Sequence, residues 1–157
     1  MTQNADKRLP LFFGWLSGWT ALTRFLTRWN VVLYRLSGGR MTGKINTTPI
    51  CLLTLTLRKS GERKTIALMY IGHGENVLLV ASLGGADINP QWYHNLKACP
   101  EVEVEVGRDK RKMIAREADA AERAALWPVV VKGYPVFADY QKKTNRVIPV
   151  MVCEPIR

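Results

Sequence analysis

The sequence is poor in the residues that build metal centres and disulfide scaffolds. Its 157 residues include three cysteines, Cys51, Cys99 and Cys153, and two histidines, His73 and His94, none at metal or redox spacing. This argues against a zinc site, and the odd cysteine count reads as free thiols in a reducing, cytoplasmic compartment. No Ser/His/Asp or Cys/His catalytic arrangement is readable. Long apolar runs are also missing. The longest uncharged stretch, Leu9 to Thr23, has 15 residues and contains Pro10, Gly14 and Gly18, which is short for a bilayer span. No small-residue cleavage site of a signal peptide follows it. Acidic residues are scarce at the start: residues 1–64 carry 11 Lys and Arg against 2 Asp and Glu, and residues 65–157 carry 12 against 11. The N-terminal part therefore calls for an anionic partner, such as phosphate, nucleic acid or acidic lipid.

What is present is ordinary globular material, 47% hydrophobic and 23% charged, enough for one domain with a sizeable core. Between 11 and 36, Phe12, Trp15, Trp19, Leu22, Leu26, Trp29, Leu33 and Leu36 recur at intervals of three and four. That spacing makes one apolar stripe on a helix. Arg24, Arg28 and Arg35 lie off the stripe, an arrangement that suits either an anionic membrane surface or packing on the domain's own core or a second subunit. Residues 37–49, rich in Gly, Thr and Ser, read as a linker, so the chain divides into 1–44, helix and linker, and 45–157, the body. Strand-length apolar runs follow at 49–57, 65–71 and 76–82. A short helix fits 89–100, and "EVEVEV" at 101–106 alternates valine inward with glutamate outward. "RKMIAREA" is a further strand, and "RVIPVMVCEP" closes the chain as another. Asp119 with Glu122 marks a helix start, and Pro128 predicts a kink or restart within that helix. A second short helix is expected through Tyr140. The pattern reads as mostly β with α elements, an antiparallel barrel or sheet.

Two stretches carry candidate chemistry. "LRKSGERK", 57–64, is a hairpin turn with Arg58, Lys59, Arg63 and Lys64 around one Glu62. Arg58, Lys59 and Lys64 can converge on an anion, with Ser60 adding a hydroxyl and Gly61 a backbone N–H. In "ASLGGADINPQWYHNL", 81–96, Gly84 and Gly85 let backbone approach a ligand at a strand-to-helix turn.

In order and spacing, "RKSGERK", "VASLGGADINPQWYHNLKACPEVEVEVG" and "LWPVVVKGYPVFADYQKKTNRVIPVMVCEP" together resemble the deazaflavin-dependent nitroreductase family, over about residues 45–155. The resemblance implies a split β-barrel of the FMN-binding type that holds the deazaflavin coenzyme F420, with FMN less favoured. It implies that Arg58, Lys59, Ser60, Gly61 and Lys64 hold the coenzyme's phosphate and acidic tail. Tyr70 then matches a pocket aromatic, Ala81, Ser82, Gly84 and Gly85 the turn beside the deazaflavin, and Trp92 an aromatic flanking it. Tyr134, Phe137 and Tyr140 fall on the acceptor side. Ser82 and Tyr140 are the candidate catalytic residues, with no metal. The implied reaction is hydride transfer from the reduced deazaflavin to a small-molecule acceptor: a quinone, enone or nitroaromatic. Leu83 departs from the family's Ser-Lys-Gly-Gly, removing a cation beside the coenzyme. That departure feeds the alternative, a lipid- or fatty-acid-binding protein of the same fold. No nucleic-acid-reading module is recognisable, and the sequence does not set an oligomeric state. A cytoplasmic enzyme, peripheral on the inner face of the membrane through residues 11–36, completes the expectation.

Overall fold

The computed structural model describes residue 32 and residues 34–36, 44–45 and 48–156. The sequence-predicted stripe from Phe12 to Trp29, Leu33, the arginines Arg24 and Arg28, and most of the 37–49 linker lie outside the described residues.

A β-hairpin starts the body. Strand β1 (Lys44–Ile45) pairs with the beginning of β2 (Thr48–Thr56), and β2 turns through 57–62 into β3 (Arg63–Met69). On its other side β2 pairs with β6 (Glu101–Val106), which hairpins into β7 (Asp109–Glu117). β7 pairs with β8 (Val150–Pro155), β8 with β5 (Asn76–Val80), and β5 with β4 (Ile71–His73). Only Tyr70 separates β3 from β4. One extended segment, 63–73, therefore pairs with β2 by its first half and with β5 by its second, and the antiparallel path returns to where it began. The sheet thereby closes into a barrel. The apolar run expected as a single strand at 65–71 is thus a strand with two partners.

Side-chain alternation fills the barrel from inside. Cys51, Leu53 and Leu55, Leu79 and Ala81, Val102 and Val104, and Met113 and Ala115 join one buried cluster with Met151 and Cys153. Burial pushes the Cys153 thiol up to about 12, and the three cysteines are free. Helix α1 (Gln91–Ala98) adds Trp92, Tyr93 and Leu96 to that interior. On the outer face of β5 and β8, Leu78, Val80, Val150 and Val152 pack under α2 (Ala120–Gly133) and α3 (Val136–Lys142) through Leu126, Val130, Tyr134 and Phe137.

Asp119 caps α2 as expected: its carboxylate accepts from the Glu122 N–H at 2.8 Å. The kink expected at Pro128 does not interrupt the helix, which runs from Ala120 to Gly133. Proline deprives the carbonyl of Ala124 of its donor, and Ala124 is exposed, so that oxygen is open to solvent.

The glutamate face of β6 also differs in one position. Glu101 is exposed and Glu103 pairs with Arg63 and Lys110, but Glu105 is only 7% exposed. Arg35 covers it with a two-pronged ion pair. Beside that pair, the Tyr34 hydroxyl donates to the Ile50 carbonyl at 2.9 Å and accepts from the Gly107 N–H at 2.9 Å. The helical residues 34–36 are therefore anchored on β2 and β6 by Tyr34 and Arg35. Leu36, a stripe residue, stays 76% exposed. Arg35 was expected as a cation facing away from the apolar stripe, and here it faces the barrel because Glu105 needs a counter-charge. No helix among the described residues is long and apolar enough to cross a membrane.

Candidate functional site

The basic turn and the glycine turn emerge at the same end of the barrel, with α1 between them. Thr54 of β2 pairs with Glu103 near the start of β6, so the 57–62 turn lies where α1 leads into β6. The Arg58 N–H donates to the side-chain oxygen of the buried Asn95 on α1, at 3.2 Å. The turn otherwise closes on itself: the Leu57 N–H donates to Glu62 O and the Gly61 N–H to Leu57 O, each at 2.8 Å. The Ser60 hydroxyl donates to the Glu62 carboxylate at 3.3 Å and accepts from the Glu62 N–H at 3.4 Å. The Gly61 N–H, expected to face an anion, is thus used inside the turn, because a left-handed Gly61 (φ +73°) needs that bond to close the loop. Arg63 is directed away, to Glu103 at 3.2 Å. Arg58 and Lys59 are exposed and form no ion pair among the described residues. Lys64 is half-buried at the start of β3.

The second turn is held much more tightly. After β5, Ala81 and Ser82 are buried, and Leu83, Gly84 and Gly85 follow with φ of +43°, +68° and +87°. Gly85 abuts α3. A Cβ there would sit 2.8 Å from the Tyr140 carbonyl oxygen and 3.0 Å from Lys143 Cβ, so only glycine fits. Tyr140 is thereby set against the glycine turn. Its ring packs edge-on to Phe137 at 6.3 Å, and Phe137 packs edge-on to Tyr134 at 5.1 Å. Burial raises the Tyr140 hydroxyl's pKa, and the neighbouring Tyr134 adds to the effect, so the phenol stays protonated and remains a hydrogen-bond donor.

Of the sequence-predicted residues, Ala81, Ser82, Gly84, Gly85, Tyr134, Phe137 and Tyr140 come together, while Arg58, Lys59, Ser60, Gly61 and Lys64 lie on the other turn, at the same end of the barrel, tied to α1 through the Arg58 N–H. Two do not join this group. Trp92 is 6% exposed, inside the barrel core. Tyr70 faces a cleft of about 220 Å³ at the other end of β6, with Glu75, Asp109, Arg111 and Met113.

Three residues near the turns were missed. Asn95 tethers the basic turn. Lys143 lies beside Gly85 with its ammonium 5.5 Å from the Tyr140 ring centre, a cation where Leu83 leaves none. Arg146 bonds to both flanks of the glycine turn: its guanidinium donates to the Ala81, Ser82 and Ala86 carbonyls and to the Asn89 side chain. Burial lowers its pKa. The only sequence trace of Arg146 is a cation, after Lys142 and Lys143, ahead of an apolar strand, which names no partner.

Comparison with known proteins gives the family and the fold. Residues 26–155 match the family of F420H(2)-dependent quinone reductases. The F420H(2)-dependent quinone reductase Rv1261c of Mycobacterium tuberculosis is 37% identical over 131 residues, 81% of this chain and 88% of that protein. A solved F420-H2-dependent reductase, FDR-A, is 41% identical with a TM-score of 0.64, covering 68% of this chain and 94% of that one. A second solved structure, described as a domain-swapped dimer, is 33% identical with a TM-score of 0.67, covering 85% and 100%. The fold is thus the split β-barrel of these reductases, and the lipid-carrier alternative finds no support among them. The chain belongs to the F420H(2)-dependent quinone reductase family, oxidoreductases whose cofactor is coenzyme F420.

Proposed function

We propose that the barrel end formed by the 57–62 turn, the 81–86 turn and α3 binds coenzyme F420, and that the chain reduces a quinone there, with enones and nitroaromatics as further acceptors. The observation that carries this reading is the seating of the left-handed 83–85 turn directly on Tyr140. It sets a backbone ledge and an aromatic wall side by side, as a flat ring with a reactant above it requires.

The side chains present fit the coenzyme. Exposed Arg58 and Lys59, without ion pairs among the described residues, are suited to a phosphate and to glutamyl carboxylates, and Arg58 can bind in a bidentate way. When bound, the reduced deazaflavin supplies the hydride. Ser82 offers a hydroxyl beside the ledge. A quinone that accepts a hydride also takes up a proton at oxygen, and the protonated Tyr140 hydroxyl is the donor proposed for it. Lys143, close to that ring, stabilises negative charge developing on the acceptor. Because quinone acceptors partition into lipid, residues 11–36 are proposed to bring the barrel, residues 45–157, to an anionic bilayer surface; co-sedimentation with vesicles checks this part separately.

The test is anaerobic oxidation of chemically reduced coenzyme F420 by menadione, with an enone and a nitroaromatic run in parallel. Wild-type protein should turn over the quinone, and Tyr140→Phe should lower kcat roughly 100-fold while leaving coenzyme affinity unchanged. Absence of turnover with all three acceptors, despite bound coenzyme, would remove the catalytic reading.

A further inference from the structure

Leu83, Gly84 and Gly85 form three consecutive left-handed residues, with φ of +43°, +68° and +87°. For Leu83 this conformation crowds Cβ against the next carbonyl. Backbone held this way persists only where the surroundings over-determine it. The turn closes on itself through the Gly85 N–H to Ser82 O at 2.9 Å and the Ala86 N–H to Leu83 O at 3.2 Å, and one side chain from outside braces both of its flanks. Arg146 Nη2 donates to the carbonyls of Ala81 at 2.9 Å and Ser82 at 3.1 Å, ahead of the left-handed run. Its Nε donates to Ala86 O at 2.8 Å and its Nη1 to Asn89 Oδ1 at 2.6 Å, both beyond the run. A planar fork with several fixed N–H directions can bridge these acceptors; an ammonium on a flexible stem cannot reach them all at once.

Arg146 is itself braced from α3 and α2. Its carbonyl accepts from Gln141 Nε2 at 2.7 Å. Gln141 Oε1 in turn accepts from Arg123 Nη2 and from the Ile148 N–H, each at 2.9 Å. Thr144 donates to Asp87 at 2.7 Å, a second tie between the same two segments. Gln141 directly follows Tyr140, so this network connects the helix carrying the acceptor-side tyrosine to the turn beside it.

We propose that Arg146 is a positioning residue for the reaction: its guanidinium holds the left-handed 83–85 turn in the shape that receives the deazaflavin and fixes that turn relative to Tyr140. This rests on the reading of the turn as the coenzyme's seat. The full chain carrying Arg146→Lys or Arg146→Ala tests it, with amide hydrogen exchange of 81–89 and coenzyme F420 titration measured on the same samples. Both variants should exchange at least tenfold faster at 81–89 with the barrel strands still protected, and both should bind the coenzyme at least tenfold more weakly. Millimolar guanidinium should restore a severalfold part of the affinity to Arg146→Ala, and urea at the same concentration should not. That readout would not respond to a merely structural loss. Should Arg146→Ala lose protection throughout the barrel, Arg146→Lys decides by the same two readings. A wild type that binds coenzyme, beside an Arg146→Lys variant that binds as tightly and protects 81–89 as well, overturns this proposal alone. A wild type that binds no coenzyme overturns the site reading and this proposal with it.

Discussion

The 57–62 turn closes on its own backbone and reaches the body through one bond to Asn95, leaving Arg58 and Lys59 exposed. The 81–86 turn lies across α1 from it and is gripped on both flanks by Arg146, with Gly85 pressed on the Tyr140 carbonyl. The two turns differ as their proposed ligand parts differ. A phosphate and a chain of carboxylates are flexible and charged, and mobile cations can follow them. A flat reacting ring requires fixed geometry, because small misplacements at the reacting atoms cost rate. Three left-handed residues in a row are tolerated at the second turn because bonds from Arg146 add to the two that close it, the Gly85 N–H to Ser82 O and the Ala86 N–H to Leu83 O.

The contrast breaks most visibly at its glycines. Gly61 and Gly85 both have positive φ, but a Cβ at Gly61 meets nothing within 4 Å, whereas one at Gly85 meets backbone at 2.8 Å. Gly61→Ala should cost about 1 kcal/mol of stability from conformation alone. Gly85→Ala should cost about 3 kcal/mol, since overpacking adds to the same penalty, and it should lose coenzyme binding. Equal costs in denaturant unfolding would mean that the second turn is no more rigid than the first. A smaller effect is expected at the tether. Asn95→Ala should weaken coenzyme binding by about 1 kcal/mol through a looser basic turn, visible as faster amide exchange at 58–62. Smaller still is the charge beside the ledge. Leu83→Lys should tighten binding by roughly 0.5 kcal/mol and steepen its salt dependence, and Lys143→Ala should do the reverse. A loss of affinity in Leu83→Lys would show a pocket adapted to an apolar neighbour. The smallest effect is on titration. Burial raises the pKa of the Tyr34, Tyr70, Tyr93 and Tyr140 hydroxyls. The unfolded chain therefore ionises first as pH climbs past about 10, and stability falls from there upward. Tyrosinate absorbance of the folded protein should lag that of the unfolded chain, and Tyr140→Phe should reduce the lag.

The local parts of this structure were legible in the sequence. Alternation at 101–106 marks β6, Asp119 marks the start of α2, and the charge density at 58–64 marks the turn. Parts that depend on distant partners were not. Barrel closure needs the 63–73 segment to leave β2 and join β5, and a continuous apolar run carries no sign of a change of partner. Glu105 reads as an outward glutamate until Arg35, 70 positions away, covers it. Trp92, by its own residue pattern a core aromatic and a ring-flanking one only through the family resemblance, is placed inside by the closed barrel. Arg146 reaches acceptors 57 to 65 positions away; no local periodicity encodes such a grip. The family resemblance bridges some of this distance, since it assigns both turns to one coenzyme.

The central claim is that these two turns hold one coenzyme between them, and titration of coenzyme F420 into wild type and Arg58→Ala/Lys59→Ala, at low and high salt, tests it most directly. Each substitution removes a charge-assisted hydrogen bond of about 1.5–3 kcal/mol, so affinity should fall by roughly 100-fold or more. The salt dependence should flatten, and unfolding stability should stay within about 0.5 kcal/mol of wild type. Equal affinity and equal salt dependence in the two proteins would contradict the account, because the coenzyme's anionic tail would then lie elsewhere.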